Sequence, residues 1–299
     1  MNYKNKIILA PMVAVTNLAF RKLCTDYGAD IAYSEMIDSR AFLAGDRKLS
    51  DFVDEKNVVA QFLGNDGKDL ATCAQAVEGK VKAFDINLGC PHSDVVKSIR
   101  GSYLLRYPER IDKMLSILTA KTNLPVTVKI RIGWDKEHLN ALDVIKVCED
   151  NGVAAIAVHG RPRTVNYERP VDYELIRKIK NTASVPILGN GDIFDGPSAQ
   201  KMFDTGVDSI MVARGAIGNP TIFSEIKDYL KGKLKKYDKT KAFFEYLKYC
   251  QKYSTDFAVM KRQSQAFTKG LVGGSVARDQ MSRAESADDL KDIFASIQT

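Results

Sequence analysis

The side chain with the clearest chemical potential is a cysteine that directly follows a short apolar run. Cys90 stands between Gly89 and Pro91, three residues after Asn87 in the stretch INLGCP. Glycine and proline shape the backbone of loops, so this thiol does not belong to the apolar face of a helix. No other cysteine lies in this loop to take part in disulfide exchange. Cys90 is therefore interpreted as a reactive thiol, either a nucleophile or a proton donor.

Two cations form a second candidate group. Lys129 and Arg131 lie two residues apart in the apolar run VTVKIRI. If this run is a strand, both side chains point to the same face and form a cationic floor for a bound group. A lysine beside the pyrimidine edge of a flavin would stabilise the negative charge of the reduced ring. Alternatively, Lys129 forms an ion pair with Glu35 or Asp85 inside the protein.

A third group has the composition of a phosphate site. One apolar run ends in Gly189-Asn190-Gly191-Asp192, and the next ends in Ala213-Arg214-Gly215, shortly before a helix start at GNP. Small residues let backbone N–H groups approach an anion, and an arginine adds a charged fork for the same oxygens. The alternative is that the glycines only permit tight turns.

His159 ends the run AAIAVHG and is followed by Arg161 and Arg163. A single histidine in this position is either a structural side chain with satisfied hydrogen bonds or a contact for an anionic ligand. Both interpretations stay open.

Eight short apolar runs position these residues, and helical patterns separate most of them. The runs are IILAPM, DIAYSEM, VVAQFL, AFDINL, VTVKIRI, AAIAVHG, VPILGNG and SIMVAR. Eight alternations in about 230 residues predict an α/β fold, the (β/α)8 TIM barrel, whose active site lies at the carboxyl ends of the strands. A doubly wound sheet is the alternative, but no GxGxxG follows the first strand. The polar residues at the run ends would then meet at one mouth.

The last quarter of the chain differs from the rest in pattern and in charge. From residue 231 onward the pattern is helical, and 14 Lys and Arg stand against 8 Asp and Glu, a net charge of +6 out of the total +7. We predict a barrel domain over residues 1–231 and a basic helical domain over 232–299. The basic segment is either a solvated helical face or a surface that binds a polyanion.

The lengths of the apolar runs and the spacing of the cysteines limit the classes of protein to which the chain can belong. No run of about 18 apolar residues occurs, so we expect no membrane span, and no signal peptide is recognised, which favours the cytoplasm. The five cysteines are widely spaced and lack a CxxC pair, so we expect neither a disulfide framework nor a structural metal. A monomer is expected.

The sequence resembles the tRNA-dihydrouridine synthases over nearly its whole length. The stretches APMVAVTN, VAQFLGND, INLGCP, VTVKIRIGWD, AVHGRPR, ILGNGDI and MVARGAIGNP occur in the family's order and spacing, and the tail FTKGLVGGSVARDQMSRAES resembles its helical domain. The resemblance implies a TIM-barrel enzyme that uses FMN, takes electrons from NADPH or NADH, and reduces the C5=C6 bond of particular uridines in tRNA.

The resemblance also implies roles for individual residues. Hydride would pass from flavin N5 to uracil C6, and Cys90 would be the general acid that protonates C5. Asn87 and Arg131 would hold the uracil edge. The residues that would bind the flavin, from its ring to its phosphate, are Pro11, Met12, Val13, Gln61, Lys129, His159, Asn190, Gly191, Asp192, Ala213 and Arg214.

Six residues depart from the family's pattern, in the loops after Cys90 and His159 and in the tail. They are Ile99, Arg100, Tyr103, Pro162, Arg169 and Arg262. These departures bear on tRNA contacts and on which uridine is reduced, and not on the flavin site.

Two other functions are compatible with a flavin barrel. One is an oxidoreductase that acts on a small heterocycle, similar to dihydroorotate dehydrogenase, but it gives the basic tail no purpose. The other is a non-catalytic RNA-binding flavoprotein, against which Cys90 and Lys129 argue.

Overall fold

Eight parallel strands close into a barrel in the computed structural model, which describes residues 1–46, 57–235 and 237–297. Each strand pairs with the next along the chain, and the last pairs with the first. The strands are β1 (Lys6–Leu9), β2 (Ile31–Asp38), β3 (Val58–Leu63), β4 (Ala83–Leu88), β5 (Val126–Arg131), β6 (Ala155–His159), β7 (Ile187–Asn190) and β8 (Ser209–Val212). The predicted (β/α)8 TIM barrel is confirmed.

The strands form where apolar runs are buried on both faces. Every residue of β3 and of β4 is buried, because one side faces the barrel interior and the other faces the surrounding helices. In β5 the register aligns Lys129 with Asn87 of β4 and with Ala157 of β6. Alternation along these strands therefore decides which polar side chains point into the barrel.

Helices cover the outside of the barrel and occupy some of its loops. They are α1 (Leu18–Asp26), α2 (Ser39–Leu43), α3 (Gly67–Val77), α4 (Ser93–Lys97), α5 (Pro108–Thr119), α6 (Ala141–Asp150), α7 (Tyr173–Thr182), α8 (Gly196–Phe203) and α9 (Ile222–Tyr229). The short helices α2 and α4, and a 3₁₀ helix over Gly101–Arg106, lie in the loops after β2 and β4. Helical periodicity did not predict these three, since one or two turns carry too little pattern.

Four further helices follow Gly232, as the helical pattern of the tail predicted. They are α10 (Lys239–Lys252), α11 (Phe257–Phe267), α12 (Gly274–Arg283) and α13 (Ala287–Ser296). The rings of Phe243 and Phe294 stack within this group, with their centres 3.8 Å apart. Lys236 and residues 298–299 of the predicted domain lie outside the described residues.

The helical group packs on the barrel beside the loop after β1. The Phe20 ring of α1 meets the Tyr246 ring of α10 edge to face at 6.4 Å. Gln263 Nε2 donates a hydrogen bond of 2.7 Å to the Val15 carbonyl. The group thus borders the β1 and β8 side of the barrel mouth, where it can contribute to what binds there.

None of the described helices combines the length and apolar character that a membrane crossing requires. In the same residues, no three His, Cys, Asp or Glu side chains come together as a metal site.

Candidate active site

One pocket of about 270 Å³ opens at the carboxyl ends of the strands. It is lined by every residue to which the sequence assigned a role in catalysis, cofactor binding or uracil binding: Pro11, Met12, Val13, Gln61, Asn87, Cys90, Lys129, Arg131, His159, Asn190, Gly191, Asp192, Ala213 and Arg214. Parallel strands in a barrel deliver their last residues to the same end, which explains why residues so far apart in the chain meet.

Asn87 holds the loop that carries Cys90. Its side-chain oxygen accepts hydrogen bonds from the backbone N–H of Cys90 at 2.8 Å and of Gly89 at 3.1 Å. Its amide nitrogen donates to Gln61 Oε1 at 2.9 Å. The carbonyl oxygen is therefore engaged by the loop, and only one amide N–H remains to contact a ligand.

Asp85 orients this arrangement from below. Its carboxylate accepts hydrogen bonds from Gln61 Nε2 at 2.7 Å and from the Thr127 hydroxyl at 2.6 Å. Burial raises the pKa of Asp85 to about 6, although both hydrogen bonds favour the charged form. Asp85, Gln61 and Asn87 thus form a continuous chain of hydrogen bonds that ends at the Cys90 backbone.

The two cations of β5 donate hydrogen bonds to different parts of the pocket. Lys129 Nζ donates to Asn190 Oδ1 at 3.0 Å, and the carboxylate of Asp85 is bonded to Gln61 and Thr127 rather than to the lysine. Arg131 is buried and donates to the backbone carbonyls of Gly89 and Pro162 at 2.9 and 3.0 Å. Arg131 therefore ties the β4 and β6 loops together at the pocket.

Burial lowers the pKa of Lys129 to about 8, with Arg131 adding to the effect. Burial, and after it the charge of Arg131, also lowers the pKa of His159 well below its ordinary value, so the imidazole is neutral. Arg161 Nη1 lies 3.3 Å from His159 Nε2 and can only donate, which assigns the ring proton to Nδ1. His159 thus acts by hydrogen bonding and not as a cation.

At the ends of β7 and β8, one carboxylate organises two arginines. Asp192 bonds Arg161 at 2.5 Å and Arg214 at 3.1 Å. The Arg214 guanidinium also lies 4.0 Å from the centre of the Tyr167 ring. These contacts fix both guanidinium groups beside the backbone of the Gly191 loop.

The sequence matches a known protein family over nearly its whole length. The family model described as Dihydrouridine synthase (Dus) matches residues 8–296. The chain belongs to the dihydrouridine synthase family.

Curated relatives with the name tRNA-dihydrouridine synthase B support the family assignment. The protein of Shewanella oneidensis is 40% identical over 233 residues, covering 76% of this chain and 72% of its own. That of Pasteurella multocida is 38% identical over 226 residues, covering 74% and 68%. That of Escherichia coli strain K12 is 37% identical over 233 residues, covering 76% and 73%. Dihydroorotate dehydrogenase, the alternative considered from the sequence, is not the family found.

The thiol of Cys90 stays protonated at neutral pH. Burial raises the pKa of Cys90 above the ordinary 9.0, while a hydrogen bond from the His92 backbone and the charges of Arg131 and Lys129 oppose the rise. The other four cysteines of the chain, Cys24, Cys73, Cys148 and Cys250, are buried. Cys90 therefore combines access to the pocket with the protonation state of an acid.

Four residues of the site were not predicted, or only in part, by the sequence patterns: Asp85, Tyr167, Phe194 and Met36. Asp85 entered only as a possible partner of Lys129, although its place two residues before Asn87 on β4 puts both on one face. Tyr167 and Phe194 line the pocket and contact Arg214, but they lie in loops without a periodic signal. Met36 also lines the pocket, from the end of β2.

Proposed function

We propose that this chain is a tRNA-dihydrouridine synthase that reduces the C5=C6 bond of uridines in tRNA, using FMN and NADPH or NADH. The family and the names of the relatives support the reaction. The observation that carries the mechanism is the Cys90 thiol, which burial keeps protonated in the same pocket as Lys129 and a phosphate-type backbone cradle.

The loops after β7 and β8 fit the phosphate of FMN. In the described part of the chain, the backbone N–H groups of Gly191, Arg214 and Gly215 donate to no other protein group. A Cβ at Gly191 would lie 2.4 Å from Val171, and one at Gly215 would lie 2.2 Å from the Ile193 carbonyl oxygen, so only glycine permits these close approaches. Free N–H groups in such a cradle, beside an arginine, are what a phosphate requires.

The other end of the pocket fits a flavin ring. Pro11, Met12 and Val13 provide apolar and backbone surface, and Gln61 and Lys129 provide polar groups for the ring edge. His159 is neutral and hydrogen-bonds without adding charge. The site offers no Rossmann fingerprint for an adenine dinucleotide, so the mononucleotide FMN fits better than FAD.

Bound in this pocket, a flavin would supply the hydride that C6 of uracil accepts. Cys90 Sγ holds the proton that C5 receives, and the Asp85–Gln61–Asn87 chain keeps the Cys90 loop in one position. Lys129 is mostly charged at pH 7, since its pKa is about 8, and it favours negative charge on the ring edge. Arg131 and the free amide N–H of Asn87 remain available for the uracil edge.

The tRNA partner requires a surface beyond the pocket. A uridine stacked inside folded RNA reaches the barrel mouth only if it is flipped out, so the flanking backbone must be held. The tail's net charge of +6 provides attraction for phosphates, and α10 and α11 border the mouth through α1 and the loop after β1. We propose residues 232–299 as the tRNA-binding domain.

The decisive experiment separates the two half-reactions. The purified protein should carry FMN that denaturation releases, and NADPH should reduce it in the absence of oxygen. Unmodified tRNA should then reoxidise the flavin and gain dihydrouridine. Cys90→Ala should leave reduction by NADPH unchanged and slow reoxidation by tRNA by about 10²- to 10⁴-fold, the usual contribution of a positioned acid.

Cys148→Ala is the matched control, because it removes a buried thiol that does not line the pocket. It should behave as the unaltered protein does. Equal reoxidation rates in Cys90→Ala and the unaltered protein would exclude Cys90 as the acid. A flavoprotein that tRNA does not reoxidise would refute the proposed activity itself.

A further inference from the structure

A cluster of aromatic rings and arginines lies at the rim of the barrel mouth, outside the pocket described above. We name it the aromatic platform and define it as Tyr103, Tyr107, Trp134, Arg106, Arg110 and Arg163. The Arg106 guanidinium carbon lies 5.5 Å from the centres of both tyrosine rings and 5.1 Å from that of Trp134. Arg163 lies 4.7 Å from the Trp134 ring, and Arg110 lies 4.8 Å from the Tyr107 ring.

The platform is attached directly to the catalytic loops. Ser102, the residue before Tyr103, donates to the Cys90 carbonyl from its backbone N–H at 3.1 Å and from its hydroxyl at 2.7 Å. Trp134 follows Arg131 by three residues, and its carbonyl accepts a hydrogen bond from the Thr164 N–H at 3.1 Å. Loops after β4, β5 and β6 therefore carry the platform beside Cys90.

In the part of the chain that the structure describes, the arginines of the platform are not paired with carboxylates. Among the described residues, Arg106, Arg110 and Arg163 form no salt bridge with a carboxylate, and Arg163 Nε is buried without a hydrogen-bond partner. The nearby Asp135 carboxylate is already bonded to the His138 ring and to backbone N–H groups. Unpaired guanidinium groups on aromatic faces are suited to an anionic ligand with planar groups.

A cleft of about 490 Å³ runs along the platform, lined by Leu105, Arg106, Tyr107, Trp134, Leu139 and Asn140 together with Asp135, Glu137 and His138. In the order of strands around the closed barrel, β4 and β5 lie opposite β8 and β1. The helical group borders the β1 side, so the platform and that group occupy opposite sides of the mouth.

We propose that the aromatic platform binds an unpaired base of the RNA next to the uridine that enters the pocket. This inference rests on the proposed function. Flipping a uridine out removes the stacking partner of its neighbours, and an aromatic face or guanidinium plane at the rim replaces it. The N–H groups of Arg106 and Arg110 pair with the adjoining phosphates. The RNA is thus held on both sides of the flipped nucleotide.

The only tryptophan in the chain is Trp134, which makes the platform directly observable. Titrating an unmodified tRNA transcript into the holoenzyme should change the tryptophan fluorescence. The change should be half complete at the tRNA concentration that half-saturates turnover. A fluorescence signal that stays constant through saturation of turnover would overturn the platform.

Variants supply an independent readout. Trp134→Ala and Arg106→Ala should each raise the KM for tRNA by about 5- to 150-fold, the factor that corresponds to about 1–3 kcal/mol per stacked base. Reduction of the flavin by NADPH should be unchanged in both, which verifies that they fold. Trp134→Phe keeps a ring and should stay within about threefold of the unaltered protein.

Arg106→Lys keeps the charge but loses the plane of the guanidinium. Arg106→Lys should lose affinity for tRNA as Arg106→Ala does. If it keeps full affinity, Arg106 contributes only its charge, and stacking on its guanidinium plane is contradicted. If tRNA is reduced normally while Trp134→Ala leaves the KM unchanged, the platform fails and the proposed function stands. If tRNA neither binds nor reoxidises the flavin, the proposed function fails.

Discussion

Replacing Lys129 by methionine should stabilise the flavin-free protein at neutral pH while it impairs catalysis. The pKa of Lys129 falls from the ordinary 10.5 to about 8 because its ammonium group is removed from water. A difference of about 2.5 units corresponds to a cost of about 3 kcal/mol for keeping the charge at pH 7. The variant leaves Asn190 Oδ1 without its donor, a loss of about 1–2 kcal/mol. At pH 7 the free energy of unfolding of the variant should therefore exceed that of the unaltered protein by about 1–2 kcal/mol.

The pH dependence carries the sharper test. Between pH 8 and 10.5 the unfolded chain keeps a proton on Lys129 that the folded chain has released, so the unaltered protein gains stability as pH rises. The methionine variant lacks this gain. The difference in free energy of unfolding, variant minus unaltered protein, should fall by about 2–3 kcal/mol between pH 7 and 10. Urea unfolding of both proteins at the two pH values measures it.

The exposed residue Lys82 provides the matched control. Lys82→Met removes a charge that is already in water, so its effect on stability should not change with pH. If Lys129→Met is less stable than the unaltered protein at pH 7, and the difference does not change with pH, burial does not lower the pKa of Lys129. This result would mean that the pocket solvates the ammonium group as well as water does.

Three further predictions concern the thiol, the backbone and the charge of the tail. Because burial raises the pKa of Cys90 above 9.0, the ratio of the flavin reoxidation rates of the unaltered protein and Cys90→Ala, both of which keep Lys129, should hold to about pH 9 and then fall; a fall of this ratio near pH 7 would contradict a protonated thiol. Ile99 has a φ of +60°, so Ile99→Gly should raise the free energy of unfolding by about 1 kcal/mol in urea titrations, and a loss would contradict backbone strain. The tRNA affinity should fall with salt at a slope of about −0.9 per phosphate contact. Replacing four exposed lysines of the tail by glutamine should reduce the steepness of that slope; these are Lys239, Lys248, Lys269 and Lys291. The same change at four exposed lysines of the barrel should leave the slope unaltered; these are Lys68, Lys80, Lys82 and Lys121.

Much of the site could be predicted because a parallel barrel translates sequence position into spatial position. Cys90, Lys129 and Asn190 each lie at or just past the end of an apolar run, and all strand ends of one barrel face the same mouth. The two-residue spacing of Lys129 and Arg131 also sufficed to put them on one face, since strand alternation is a local property.

The hydrogen-bond partners could not be predicted in this way. From the sequence, Lys129 could pair with Glu35 or Asp85, but it donates to Asn190, which lies 61 residues further along the chain. Asn87 was expected to hold uracil, yet its oxygen is engaged by the Cys90 loop. Such choices depend on which side chains come within about 3 Å of each other, and no periodic pattern encodes that distance.

The sequence by itself determined the alternation of strands and helices, the barrel that follows from it, the mouth at which the polar residues meet and the basic helical tail. These features arise from spacings within single elements and from charge. Only the tertiary structure decided that Asp85 supports the Cys90 loop through Gln61, that Asp192 joins Arg161 to Arg214, and that Tyr103 meets Trp134 at the rim. Each of these contacts joins loops or strands that approach one another only when the barrel closes, because closure sets the distances between them.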